Sequence, residues 1–189
     1  MIIGITGGTG CGKTTLLKEI EERGGLVLDC DAVYHELLTR DEALLNAIND
    51  RFPGVVVDKK LERKKLGAIV FNDEAALHDL NAITHGAIKA EIVRRLAENP
   101  RLAAIDAIAL FEGGLADLCD ATVAVCAPKE VRVQRLMHRD GITREYAQNR
   151  INAQKSEEWF RKMCGHTLNN DGTQEEFRVK CSEFLDSVL

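Results

Sequence analysis

Residues 7–14 read Gly7-Gly8-Thr9-Gly10-Cys11-Gly12-Lys13-Thr14 and fit the pattern G-x-x-x-x-G-K-[ST] without a mismatch. The context suits the pattern. Ile2, Ile3 and Ile5 ahead of it read as a short buried strand, and Thr14 to Arg23 behind it read as a helix with Leu16, Leu17 and Ile20 on one face. Glycines at 7, 8, 10 and 12 omit Cβ atoms, so backbone N–H groups can close on a polyphosphate at the positive end of the following helix. Lys13 would then reach the β- and γ-phosphates of a nucleoside triphosphate, and the Thr14 hydroxyl would meet Mg²⁺. A glycine-rich turn can spell the same letters by chance, but an intact copy at the first strand-to-helix turn is far rarer than the letters alone. The loop therefore predicts triphosphate binding. It leaves the reaction open, because kinases, GTPases and motor ATPases share this cradle.

The 189 residues suffice for one well-buried core, with room for an insertion and a mobile lid. An apolar fraction of 45% is ordinary for a globular chain, and no apolar run approaches the roughly twenty residues that a membrane span needs. The first residues enter a strand with no basic n-region or cleavage site, which predicts a cytoplasmic location. Six cysteines, at 11, 30, 119, 126, 164 and 181, form no C-x-x-C pair and read as small buried thiols. The net charge of -5 argues against a nucleic-acid binder with a broad basic face. Yet between Pro128 and Lys162 nine Lys or Arg stand against five Asp or Glu, so this segment is locally positive. It is either a solvated helical face or a surface that meets phosphate.

Gly24-Gly25 stops the first helix, and Leu26-Val27-Leu28 leads as a second strand into Asp29-Cys30-Asp31. Carboxylates at a strand end can face the crevice of an open α/β sheet, or they can cap the helix that follows. Residues 32–97 read as mostly helical: Ala32 to Leu38, Asp41 to Phe52, then pieces from Leu61 to Val70 and Asp73 to Ala97. That length predicts a helical insertion beside the site, suited to an acceptor substrate. His78 and His85 in it have no partners at metal-ligand spacing. From Leu102 a strand is expected to carry Asp106 and run on through Ile108, Ala109, Leu110 and Phe111 to Glu112-Gly113-Gly114. An Asp on such a strand resembles the second phosphate-loop signature. Ala121 to Cys126 is the next strand, Pro128 opens a helix to Arg139, and Thr143 starts another through Ala153. Thr167-Leu168 is the last strand, and Thr173 with Glu176 makes a capping box for a closing helix from Gln174 to Val188. The alternation predicts a three-layer α/β/α fold of the P-loop NTPase kind, with a five-stranded parallel sheet, a helical acceptor-binding insertion and a lid.

No N-K-x-D guanine-reading stretch occurs, which argues against a GTPase. A nucleotide loop, an acceptor insertion and an arginine-bearing lid that excludes water fit a compact kinase instead. Another small nucleoside or metabolite kinase stays open at this point, as does a nucleotide-dependent switch.

The chain also resembles the dephospho-coenzyme A kinase family over nearly its whole length. The matching pieces are Ile5 to Thr14, Asp29-Cys30-Asp31, Leu61 to Phe71, Leu80-Asn81-x-Ile83-x-His85 and Asp106 to Glu112. They continue with Arg135 to Gly141, Arg150-Ile151-x-Ala153-Gln154 and Asn169-Asn170-x-Gly172. The resemblance implies transfer of the γ-phosphoryl of ATP, with Mg²⁺, to the ribose 3′-hydroxyl of dephospho-coenzyme A. It implies no nucleic acid, membrane or obligate protein partner. Gly8, Thr9, Gly10, Cys11, Gly12, Lys13, Thr14 and Thr15 would bind the nucleotide together with Arg135 and Asn170. Asp31 would act on the acceptor hydroxyl, with Lys13 and Arg139 completing the catalytic set. His85, Glu112 and Arg150 would lie toward the acceptor, and Thr14 and Asp106 toward the metal. Three departures bear on the acceptor half: Gly86 where the family has Pro, Ile108-Ala109-Leu110 where it has Pro-Leu-Leu, and Tyr34-His35 near a customary Arg.

Overall fold

The computed structural model describes residues 1–98 and 100–189. The chain divides into two compact units, residues 1–28 with 100–189, and residues 29–99. In chain order the elements of the first are β1 (Ile2–Thr6), α1 (Lys13–Glu22) and the start of β2 (Leu26–Asp29). The second contributes α2 (Cys30–Arg40), α3 (Glu42–Arg51), β3 (Val56–Val57), β4 (Lys60–Leu61), α4 (Arg63–Val70) and α5 (Glu74–Leu96). The chain then returns to the first with β5 (Ala103–Asp106), a 3₁₀ turn (Ala116–Leu118), β6 (Ala121–Cys126) and α6 (Lys129–Asp140). It ends with α7 (Arg144–Asn152), α8 (Glu157–Met163), β7 (His166–Asn169) and α9 (Gln174–Val188). Among the described residues no helix is long and apolar enough to cross a membrane.

Five strands form one sheet in the order β2-β5-β1-β6-β7, with β1 parallel to both β5 and β6, and β6 parallel to β7. The three-layer arrangement follows from strand alternation, which sends successive side chains to opposite faces. Ile3, Ile5, Val123 and Val125 point to one face, where Leu16, Leu17 and Ile20 of α1 and Phe177, Cys181 and Leu185 of α9 close over them. Ala124 and Cys126 point to the other, against Phe160 of α8. Apolar residues at consecutive positions are what a sheet covered on both faces requires. The expected capping box is present: the Thr173 side chain accepts from the Glu176 N–H while the Glu176 carboxylate accepts from the Thr173 N–H.

Three expectations need correction. The strand through Asp106 does not continue to Phe111. Ala107 N–H still donates to the Ile5 carbonyl, but residues 108–114 then turn back, with Leu115 and Ala116 N–H both donating to the Leu110 carbonyl. Leu110 is fully buried, and a Cβ on Gly4 of β1 would come within 2.9 Å of it, so the apolar run Ile108–Phe111 is read by packing across the sheet and not by edge pairing. Residues 157–163 form a short helix, α8, that the sequence reading passed over; Ser156 caps it by accepting from Trp159 N–H. The stretch 32–97 also holds a hairpin. Val56 pairs with Leu61 and Val57 with Lys60, and the tip residues Asp58 and Lys59 both take positive φ, 49° and 59°. A two-residue turn of this hand usually announces itself with Asn-Gly or Asp-Gly, and here it carries no glycine.

Within the unit of residues 29–99, α5 packs against α2, α3 and α4. Glu91 of α5 is buried and would be costly there if unpaired. Arg94 and Arg95 each donate to it at 2.8 Å and Arg40 at 2.7 Å, and these bonds, that of Arg94 first, hold its carboxyl below the usual carboxylate range.

Candidate active site

The loop Gly7–Gly12 leaves β1 and enters α1 as the motif required, and its shape is set by groups on α6 and just after α7 and β7. Arg132 and Arg135, one turn apart on the same face of α6, both reach the loop. Arg132 Nε donates to the Thr9 carbonyl at 2.8 Å, and Arg135 Nη1 donates to the Gly10 and Cys11 carbonyls, each at 3.3 Å. Asn170, buried just after β7, donates from Nδ2 to the Cys11 carbonyl at 2.9 Å and accepts from Arg135 Nη2 at 3.1 Å. In a planar peptide the C=O and the next N–H point to opposite sides. Anchoring the carbonyls of Thr9 and Cys11 on this side therefore turns the N–H groups of Gly10 and Gly12 to the other.

The glycines have a second reason to be there. A Cβ on Gly8 would overlap the Arg132 guanidinium, and one on Gly12 would overlap the Asn170 amide. Gly12 also has φ 94°, a conformation that side chains with a Cβ rarely adopt. The loop is thus built around two polar side chains as well as open toward a ligand.

Six other helices take a side-chain cap, from Asp29, Asp41, Asp73, Thr143, Ser156 and Thr173. Helices α1, α4 and α6 take none, and α1 also has no acidic residue in its first turn. Its leading N–H groups and positive end are left for an anion. Lys13 Nζ stands at this end, donating to the Gly7 carbonyl at 3.2 Å and lying 3.8 Å from Oδ1 of Asp106, the last residue of β5. Burial pushes the Cys11 thiol up, so the loop's cysteine stays protonated and serves as packing.

The hydroxyl of Thr14, exposed at the start of α1, and the Asp106 carboxylate are hard oxygen donors from the two elements that flank Lys13. Such a pair fits Mg²⁺, which keeps several waters and is held by one or two protein groups plus substrate phosphates.

The remaining predicted residues are placed as follows. Thr15 follows Thr14 in α1, with its N–H donating to the Gly12 carbonyl at 3.2 Å. Arg139 and Arg150 converge on one carboxylate, Asp140, which accepts from Arg139 Nε at 2.6 Å and from Arg150 Nη1 at 2.7 Å. Glu112 is exposed in the turn after β5, and His85 is half-buried in the middle of α5. Asp29 caps α2, its Oδ1 accepting from Asp31 and Ala32 N–H, whereas the Asp31 carboxylate is exposed on the first turn and takes no part in the cap. Gly86 sits inside α5 with nothing within 4 Å of where a Cβ would stand, so its smallness is not imposed by crowding. Sequence reasoning counted Arg132 only among charges and quoted Gln154 without a role, yet Gln154 Oε1 accepts from the Thr9 N–H at 2.8 Å. No short motif signals either; only the folded contact does.

A parallel sheet of this order, carrying a glycine loop at the end of its central strand, is the three-layer fold of the P-loop kinases. Comparison with known proteins narrows the class. The family model described as dephospho-CoA kinase matches residues 1–176. The chain is 38% identical over 191 residues to the dephospho-CoA kinase of Deinococcus radiodurans, covering 99% of this chain and 90% of that one. It is 36% identical over 180 residues to that of Corynebacterium diphtheriae, covering 92% and 90%. A crystal structure of a Thermus thermophilus protein superposes with a TM-score of 0.83 at 33% identity, covering 100% of this chain and 98% of the other. The chain belongs to the dephospho-CoA kinase family, phosphotransferases with an alcohol group as acceptor.

Proposed function

We propose that this protein transfers the γ-phosphoryl group of ATP to the ribose 3′-hydroxyl of dephospho-coenzyme A, giving coenzyme A and ADP. The observation that carries the reading is the loop at the head of α1, with its carbonyls tied back by Arg132, Arg135 and Asn170 and with Lys13 standing at its end against the Gly7 carbonyl. Membership of the dephospho-CoA kinase family supports the choice of acceptor.

In this reading residues 8–15 cradle the triphosphate, and Lys13 places a point charge on the oxygens that gain negative charge as the γ-phosphoryl moves. Arg135 and Asn170 bind the nucleotide side of the site. Asp31 orients the 3′-hydroxyl and takes its proton as the new O–P bond forms and the bond to the ADP oxygen breaks. Positioning outweighs full deprotonation, because the transition state of phosphoryl transfer is loose. Mg²⁺, when bound at Thr14 and Asp106, supplies neutralising charge to the phosphate oxygens. Residues 32–97 form the acceptor-binding insertion and residues 128–162 the lid. Arg139 and Arg150 belong to that lid; His85 and Glu112, with Arg150, meet the acceptor. The protein works in the cytoplasm on small molecules, without nucleic acid, membrane or obligate protein partner.

The test is a panel of acceptors incubated with ATP and Mg²⁺. ADP formed only with dephospho-coenzyme A supports the reading. ADP formed with a different hydroxyl would move the acceptor, a point to which the departures at His35, Gly86 and Ile108 are relevant. ADP formed without any acceptor would replace the kinase with a nucleotide-dependent switch.

A further inference from the structure

Arg132 is 7% exposed, and among the described residues its hydrogen-bond partners are a carbonyl and an amide, with no carboxylate in an ion pair with it. A buried guanidinium without an anionic partner is costly. Its side chain is not idle: Nε donates to the Thr9 carbonyl at 2.8 Å, and Nη2 approaches Gln154 Oε1 at 3.4 Å. Gln154 Oε1 in turn accepts from the Thr9 N–H. Both hydrogen-bonding groups of Thr9 are therefore held from outside, one by a cation and one by a neutral amide. The guanidinium also fills the space that a side chain at Gly8 would need. Glu157, a carboxylate whose charge bears on it, is occupied by Arg161 at 2.6 and 2.9 Å.

We propose that Arg132 is a positioning residue whose charge is left without a carboxylate so that it acts on the phosphates bound by the loop it supports, and that the neutrality of Gln154 preserves this. The inference rests on the reading of residues 7–14 as a nucleotide cradle. A glutamate at 154 would meet the Thr9 N–H and Arg132 with equal ease, and it would tighten the empty protein. Glutamine braces the loop and leaves the positive charge uncancelled.

Two readouts are expected to move in opposite directions. In Gln154→Glu a new ion pair with Arg132 should hold or raise the melting temperature of the ligand-free protein, while the KM for ATP rises about tenfold or more, since cancelling a buried charge near a polyanion removes its attraction. The kcat should fall less than the KM rises. Arg132→Gln should raise KM for ATP by a similar factor. Arg132→Lys, which keeps the charge and loses the bond to Thr9, should recover part of that affinity. Titration calorimetry with ADP on wild type, Gln154→Glu and Lys13→Ala completes the set. Wild-type nucleotide affinity in a folded Gln154→Glu would overturn the inference alone and leave Arg132 as a brace. Unchanged ADP affinity in Lys13→Ala would overturn the cradle reading, and the inference with it.

Discussion

The Asp29 carboxylate accepts a hydrogen bond from the Asp31 backbone N–H at 2.9 Å. The first acid of the pair thus fixes the helix turn from which the second projects. The two should respond differently to substitution. Asp31→Asn should lower kcat roughly 10²- to 10⁴-fold with little change in KM for ATP, the range that a general base contributes. Asp29→Ala should instead cost about 1 kcal/mol of stability through the lost cap, with turnover affected far less. Steady-state kinetics beside thermal melts separates them. Wild-type kcat in Asp31→Asn would remove it from the mechanism.

Lys13 is held between the Gly7 carbonyl and Asp106, at 3.2 and 3.8 Å. Lys13→Ala should abolish phosphoryl transfer while circular dichroism stays near wild type, because the ammonium packs no core. Asp106→Asn should raise the Mg²⁺ concentration needed for half-maximal rate, a shift that a purely structural role for this carboxylate would not produce. Turnover measured against Mg²⁺ for both variants decides.

Asp140 clamps Arg139 and Arg150 together, and those bonds, that of Arg139 first, hold its carboxyl at about 2 against an ordinary 3.8. The folded-state value is lowered, so the clamp is fully present above about pH 4 and is lost as pH falls through about 2. Activity between pH 5 and 9 should therefore show no limb from this group. Hydrogen exchange across residues 128–162 should slow on adding a non-hydrolysable ATP analogue with acceptor. Equal exchange with and without them would leave the segment as a solvated face.

Burial pushes the Cys126 thiol up to about 11 and the Cys181 thiol up to about 12. Raised folded-state values mean that their contribution to stability is complete below the ordinary thiol value of 9.0 and is lost as pH climbs through 11 to 12. Urea midpoints should fall between about pH 9 and 11, less steeply in Cys181→Ala than in wild type even though that variant starts lower. Equal slopes would dissociate the alkaline loss from this thiol.

The five sheet strands were legible because apolar pairs such as Val123 and Val125 alternate with small residues that also face packing, and because each strand except the one through Asp106 ends in a turn or capping signal. The capping box at Thr173 and the loop at Gly7 were legible for the same reason: their chemistry is local. What escaped the sequence was set by contact. Asp58 and Lys59 make a left-handed hairpin tip without glycine, and Leu110 turns its segment inward to fill space above Gly4. Arg132 looked like one more surface cation in a basic stretch until the fold buried it against Thr9. Asp31 was picked from its place in a resemblance, and which of the two acids caps α2 became visible only in the fold, where it is Asp29.

The uncapped start of α1 also bears on how long the protein lasts. Among the described residues six helices are finished by their own side chains, whereas in the proposed function this one is completed by the nucleotide it binds. A ligand at one hundred times its dissociation constant adds about 2.7 kcal/mol to the folded state. Resistance to heat and proteases should therefore rise and fall with nucleotide supply, so that a cell rich in ATP would keep its copies longer than a starved one.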